Sequence, residues 1–163
     1  MLIKIKKNRT LIFKKFKFKC AFGKSGIKKN KKEGDKSTPA GIFSLGKLYY
    51  RTDRIKKVRT LLKCKIIKKN MGWCNNSKDN KYNNEFNLNS KIRGEKLYRR
   101  DHKYDAFISI NYNTNPVIPY KGSAIFIHLT NNYKSTAGCV AINIKDFLIL
   151  LKFIKPNTKI KIG

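Results

Sequence analysis

The residues best able to do covalent chemistry here are a histidine and a cysteine that stand close together. His128 ends the stretch Ser123-Ala124-Ile125-Phe126-Ile127-His128, and Cys139 follows Ser135-Thr136-Ala137-Gly138. A free thiol is mostly protonated near neutral pH, and the thiolate is the nucleophile. An imidazole within reach can take the thiol proton during attack on a carbonyl and return it to a leaving amine. Gly138 lets the backbone approach a substrate closely, so the amides around Gly138 and Cys139 are placed to face an oxyanion. Spacing alone leaves the plainer readings open. A cysteine after a strand is commonly an inert core residue, and a histidine beside one is commonly structural.

The elements that must position this pair read as mainly β. Ser123 to Leu129 reads as a strand, with Ala124 to Ile127 nearly continuous apolar sequence, as in a strand buried on both faces. Cys139 to Ile142 is apolar again. A hairpin-like return through Thr130 to Lys134 is expected to bring His128 and Cys139 face to face. Residues 2 to 22 alternate apolar residues with lysine and predict a hairpin, with the lysines guarding an edge. Ala40 to Tyr50 and Ala106 to Tyr112 also read as strands. A short helix is expected over Glu95 to Tyr104. The clearest helix spans about 143–154: Asn143 caps it with Asp146 three residues on, Phe147, Leu150, Leu151 and Ile154 share a face, and Pro156 follows. Thr158 to Ile162 alternates as a last strand. Asn70 to Asn89 reads as a long Asn-rich loop, and loops of that length are commonly functional.

With 163 residues and no internal repeat or boundary, the expectation is one domain, 1–163. Thirty-nine Lys and Arg against nine Asp and Glu give a net charge of +30. Such a charge attracts polyanions, whether nucleic acid or an anionic cell-wall polymer. It also fits a chain rich in Lys, Asn and Ile, in which many lysines merely occupy the surface. No helix-turn-helix, zinc-finger or RNA-binding aromatic motif accompanies the charge, so nucleic acid is the weaker expectation. No apolar run matches a membrane span, and the start has no signal-peptide pattern, which keeps a cytoplasmic location open. Cys20, Cys64, Cys74 and Cys139 form no CxxC pair. His102, His128, Cys74 and Cys139 are ligand types that suit zinc, but their spacing does not, so neither metal nor cofactor is expected.

Several blocks in order carry a resemblance. His128 followed by Thr136-Ala137-Gly138-Cys139 resembles the signature of the L,D-transpeptidase (YkuD) family. Cys20 to Gly26, Lys32-Glu33-Gly34-Asp35, Thr38-Pro39-Ala40-Gly41-Ile42-Phe43, Gly72-Trp73-Cys74, Asp101-His102 with Tyr104-Asp105, and Lys121 to Phe126 resemble a compact bacterial branch of it. The resemblance implies a β-sandwich or barrel-like domain acting on peptidoglycan stem peptides in the cell envelope. In such enzymes the cysteine attacks the carbonyl of a third-position diamino acid and expels the terminal D-alanine. The acyl group then passes to an amine or to water. Carried over, Cys139 is nucleophile and His128 general base, backbone amides near Gly138 and Cys139 stabilise the oxyanion, and Thr136 and Ala137 help shape the site. Trp73, His102 and Lys121 are candidates to line the substrate cleft. Two positions depart from the pattern: Leu129 stands where many members have Gly after the His, and Ala141 where many have Arg. L,D-transfer, L,D-carboxypeptidase-type hydrolysis and D-amino-acid exchange therefore all remain readings of the site. A basic nucleic-acid-binding protein without catalysis is the non-enzyme alternative.

Overall fold

In the computed structural model, which describes residues 1–56 and 58–163, the chain runs β1 (Leu2–Lys6), β2 (Thr10–Phe13), β3 (Phe16–Lys19), β4 (Ile27–Lys28), β5 (Thr38–Pro39), β6 (Gly41–Tyr50), β7 (Cys64–Ile66), β8 (Met71–Cys74), β9 (Glu85–Asn87), β10 (Gly94–Lys96), β11 (Ala106–Ile110), β12 (Phe126–Leu129), β13 (Val140–Ile142), α1 (Ile144–Phe153) and β14 (Lys159–Ile162). The main sheet has the order β13-β12-β11-β6-β14-β1-β2-β3, with β7 also on β6. Just past β3, Ala21 and Ala141 exchange two backbone hydrogen bonds of 2.8 Å, which ties the two ends of the sheet together. The result is a nearly closed, barrel-like sheet with one C-terminal helix, the mainly β class that the alternation predicts.

The period-two pattern explains the inner surface. Ile3, Ile5, Leu11, Phe13, Phe18, Ile160 and Ile162 are buried, while the lysines between them point outward. The helix buries Phe147, Leu150 and Leu151, and its cap residue Ile154, in the same cluster. Burial stabilises by roughly 2 kcal/mol for each such side chain. Asn143 accepts the Asp146 N–H at 2.9 Å and caps the helix as expected.

Four local expectations change. The predicted hairpin over residues 2 to 22 is a three-stranded meander, because Lys14 takes a left-handed turn (φ 52°) that leads β2 into β3. The segment expected to be helical, Glu95 to Tyr104, opens as β10: Glu95 pairs with Trp73 and Lys96 with Gly72, and this pairing overrides local helix propensity. The Asn-rich stretch is a loop only between β8 and β9, which pair with each other. Finally, β12 and β13 are parallel, not a hairpin. The chain between them crosses over and is held by Phe22 and Lys24, whose O and N–H bond the Thr136 N–H and O at 3.0 and 2.9 Å. No helix of the described residues is long and apolar enough to cross a membrane.

Candidate thiol-imidazole site

The parallel register decides where the two reactive side chains go. Ile127 pairs with Val140 and His128 with Ala141. Successive strand residues point to opposite faces. Ile127, Leu129, Val140 and Ile142 therefore face the helix side and join its core. Phe126, His128 and Cys139 face the other way, toward Tyr49, Trp73, Tyr104 and Phe107. Cys139, one residue before the ladder, meets the start of β12: its sulfur accepts the Phe126 N–H at 3.4 Å and donates to the Ala124 carbonyl at 3.2 Å. His128 lies diagonally from it on the same face. Both line one cleft of about 460 Å³ together with Thr136, Ala137, Gly138, Ala124, Lys31, Glu95, Arg99, Lys103 and Tyr104.

The imidazole is oriented by two neighbours. His128 Nδ1 lies 2.9 Å from the Leu129 carbonyl, and a carbonyl only accepts, so Nδ1 carries the proton and Nε2 keeps its lone pair. The Tyr104 ring stands edge-on to it, with centroids 5.5 Å apart, and its hydroxyl donates to Glu95 Oε1 at 2.7 Å. Burial moves both reactive groups toward their neutral forms. Desolvation pushes the Cys139 thiol up to about 12, with Glu95 adding to the rise and the Phe126 N–H and Lys31 opposing it. Desolvation also lowers His128 to about 4; its Leu129 bond works against this, and Lys103 and Arg99 add to it. The resting pair is therefore thiol and neutral imidazole.

The turn that presents Cys139 is tightly tied. Thr136 Oγ1 donates to the Cys139 carbonyl at 2.6 Å and accepts the Gly138 N–H at 3.1 Å. Thr38 Oγ1 accepts from Gly23 N–H at 2.8 Å and donates to the Gly138 carbonyl at 2.7 Å. Gly138 has φ 149°, and a Cβ there would sit 2.9 Å from the Ser37 carbonyl oxygen, so only glycine fits. Ala124, whose carbonyl receives the thiol, is itself held at φ 53°, with its N–H on Asn83 Oδ1 at 3.0 Å.

The other sequence candidates fall elsewhere. Trp73 is buried behind the site: its ring lies 5.0 Å from Phe126 and its Nε1–H bonds Asn83 Oδ1 at 3.0 Å. It supports the reactive face from beneath and does not line the cleft. His102 is exposed, with Nδ1 2.7 Å from Asp105 Oδ2, outside the cleft. Lys121 lies in a separate shallow groove with Lys32 and Tyr120. Among the described residues no group of three His, Cys, Asp or Glu is placed to hold a metal ion, and all four cysteines are free. To the candidates of the sequence the structure adds Lys31, Asn83, Glu95 and the Tyr104 ring beside His128. Tyr104 was visible inside the Asp101 to Asp105 block; Lys31 was hidden in a run of lysines.

A cysteine and a neutral, oriented imidazole thus share one face of a barrel-like sheet and line one cleft. The family model for the L,D-transpeptidase catalytic domain, YkuD, matches residues 2–162, and the chain belongs to that family. The domain is one of L,D-transpeptidase-type catalysis on peptidoglycan. No curated protein matches the chain.

Proposed function

We propose that residues 1–163 are one catalytic domain that transfers acyl groups between peptidoglycan stem peptides through a thioester on Cys139, with His128 as general base. The observation that carries this reading is that the Cys139 sulfur lines the same cleft as an imidazole whose Nδ1 is tied to Leu129 O, which leaves Nε2 able to accept a proton. In the first step Cys139 Sγ attacks the carbonyl of the third stem residue while its proton passes to His128 Nε2. The oxyanion that forms is held by backbone amides of the turn. The Gly138 N–H already has Thr136 Oγ1 as acceptor, so the Cys139 N–H is the better assignment and Thr136 and Ala137 shape the turn. The tetrahedral adduct collapses with expulsion of D-alanine, whose amine takes the proton from His128. An acceptor amine then gives its proton to His128, attacks the thioester and restores the thiol. Water in place of the amine gives the L,D-carboxypeptidase outcome from the same intermediate.

The cleft suits anionic stems, since five cations, Lys31, Lys36, Arg99, Lys103 and Lys134, line it against two acids, Glu33 and Glu95. On the barrel, Lys4, Lys6, Lys17, Lys19, Lys159 and Lys161 lie on the outer face of neighbouring strands, and Lys4 stands directly opposite Lys161. All ion pairs among the described residues lie within 31–105, so this face is unneutralised. We assign it to anionic wall polymer, with the cell envelope as the place of action. The test is release of D-alanine and of cross-linked or trimmed product from a disaccharide-tetrapeptide. Wild type is expected to turn over, and Cys139→Ala to lose activity by at least a thousandfold. Full activity in Cys139→Ala overturns the reading.

A further inference from the structure

Lys31 is a charged side chain where burial is costly. Only 3% of its side chain is exposed, yet it lines the Cys139 cleft. Its Nζ lies 2.9 Å from Asp35 Oδ1 and 3.4 Å from the Lys32 carbonyl. An ammonium carries three N–H groups, so one remains for the cleft. The charge is aimed by its surroundings. Its stem packs where a Cβ on Gly122 would be, 2.8 Å from Cε, and its Nζ lies 3.5 Å from where a Cβ on Gly138 would be. Gly138 immediately precedes Cys139. Asp35 is held in turn by the Lys32 and Ser37 N–H groups and by the Ser37 hydroxyl. Burial acts to raise the Asp35 carboxyl, but these hydrogen bonds with that from Lys31 hold it well below its usual range. The aspartate thus remains an anion that fixes the ammonium. A buried pair of this kind commonly adds little stability over an apolar pair of the same shape, so its place beside a reactive sulfur asks for another account.

We propose that Lys31 is a positioning residue for the thiol chemistry: its ammonium, clamped by Asp35 beside Gly138, is the fixed positive charge that stabilises negative charge forming on the Cys139 sulfur. This rests on Cys139 being the nucleophile. It separates the two sides of the cleft. Lys103 and Arg99 act on His128, where they disfavour a second positive charge against Asp101, whereas Lys31 acts on the sulfur, where it opposes the negative charge of Glu95. Exchanging the ammonium for a neutral group leaves the thiolate without its counter-charge in a low-dielectric site.

The measurement is the rate of Cys139 alkylation by iodoacetamide from pH 6 to 9, read by peptide mass so that Cys20, Cys64 and Cys74 are scored separately. The expected result for Lys31→Met and for Lys31→Gln is a log-rate line lower by about one unit, a tenfold loss at each pH, corresponding to a thiol pKa about one unit higher. Lys31→Arg is expected to stay within about threefold of wild type by the same relation. Either neutral variant that melts cooperatively and keeps the wild-type line overturns the proposal. A second measurement needs no variant. In wild type, the ratio of iodoacetate to iodoacetamide rates is expected to be several-fold higher at Cys139 than at exposed Cys64, because a fixed cation draws the anionic reagent; an equal or lower ratio overturns it. Alkylation is scored without substrate, so loss of the acyl-transfer reading through an active Cys139→Ala leaves this result readable by itself.

Discussion

At the scale of single residues, burial sets the chemistry. His128 is 6% exposed and its folded pKa is lowered to about 4. The unfolded chain then binds a proton between about pH 6.5 and 4 that the folded protein refuses. Stability from this group is full above pH 6.5 and is lost as pH falls toward 4, by about 3 kcal/mol. Urea titrations are expected to show wild type losing roughly that much more than His128→Asn between pH 7 and 4. Equal losses would mean that the imidazole is not buried neutral. Cys139 works in the opposite sense: its raised pKa contributes stability below about pH 9 that fades as pH rises toward 12. The residue types Cys139 and His128 were legible in the sequence because thiol and imidazole at short spacing suggest one chemistry. Lys31 was not, since nothing in a string of lysines marks the one whose charge is enclosed.

At the scale of elements, the site depends on loops that reach across the sheet. Asn83, from the Asn-rich loop, is buried and serves four partners: it accepts from Trp73 Nε1–H and Ala124 N–H and donates to the carbonyls of Tyr112 and Asn113. Removing it leaves several buried groups unpaired and frees Ala124, whose carbonyl orients the thiol. Asn83→Ala is expected to cost roughly 3 kcal/mol in denaturant unfolding and to lower acyl-transfer activity in protein that remains folded. A loss under about 0.5 kcal/mol would show that the loop does not brace the site. Gly138→Ala is expected to be worse for activity than for stability, since its Cβ meets the Ser37 carbonyl within the Cys139 turn; kcat measured beside Tm checks this. The strands β1 and β14 were readable from alternation, and β6 and β11 from their apolar and aromatic content. The parallel β12–β13 pairing was not, because it depends on Phe22 and Lys24 capturing the Thr136 turn, a long-range contact with no local signature. The helix was readable to within a residue or so because its cap and its apolar face act locally.

At the scale of the whole molecule, the barrel separates two charge regimes. Eight of the nine acidic residues fall between Glu33 and Asp105 in the chain, with Asp146 alone beyond them, while the β14-β1-β2-β3 face presents lysines without acidic partners among the described residues. Direct Lys4–Lys161 opposition destabilises the free protein slightly and favours a bound polyanion. Binding to an anionic wall polymer is expected to weaken steeply with salt and to fall about tenfold when Lys4, Lys17 and Lys161 become Gln, with Cys139 alkylation unchanged. Salt-independent binding would contradict this. Net charge was plain from composition, whereas its segregation onto one face needed the register of the strands.

The central claim is the thioester on Cys139, and intact-mass analysis after incubation with a disaccharide-tetrapeptide tests it most directly. The account predicts a transient adduct equal to the donor minus D-alanine, mapped to Cys139, absent in Cys139→Ala and accumulating when acceptor amine is withheld. D-alanine release with no adduct at Cys139, or an adduct on another residue, would contradict it.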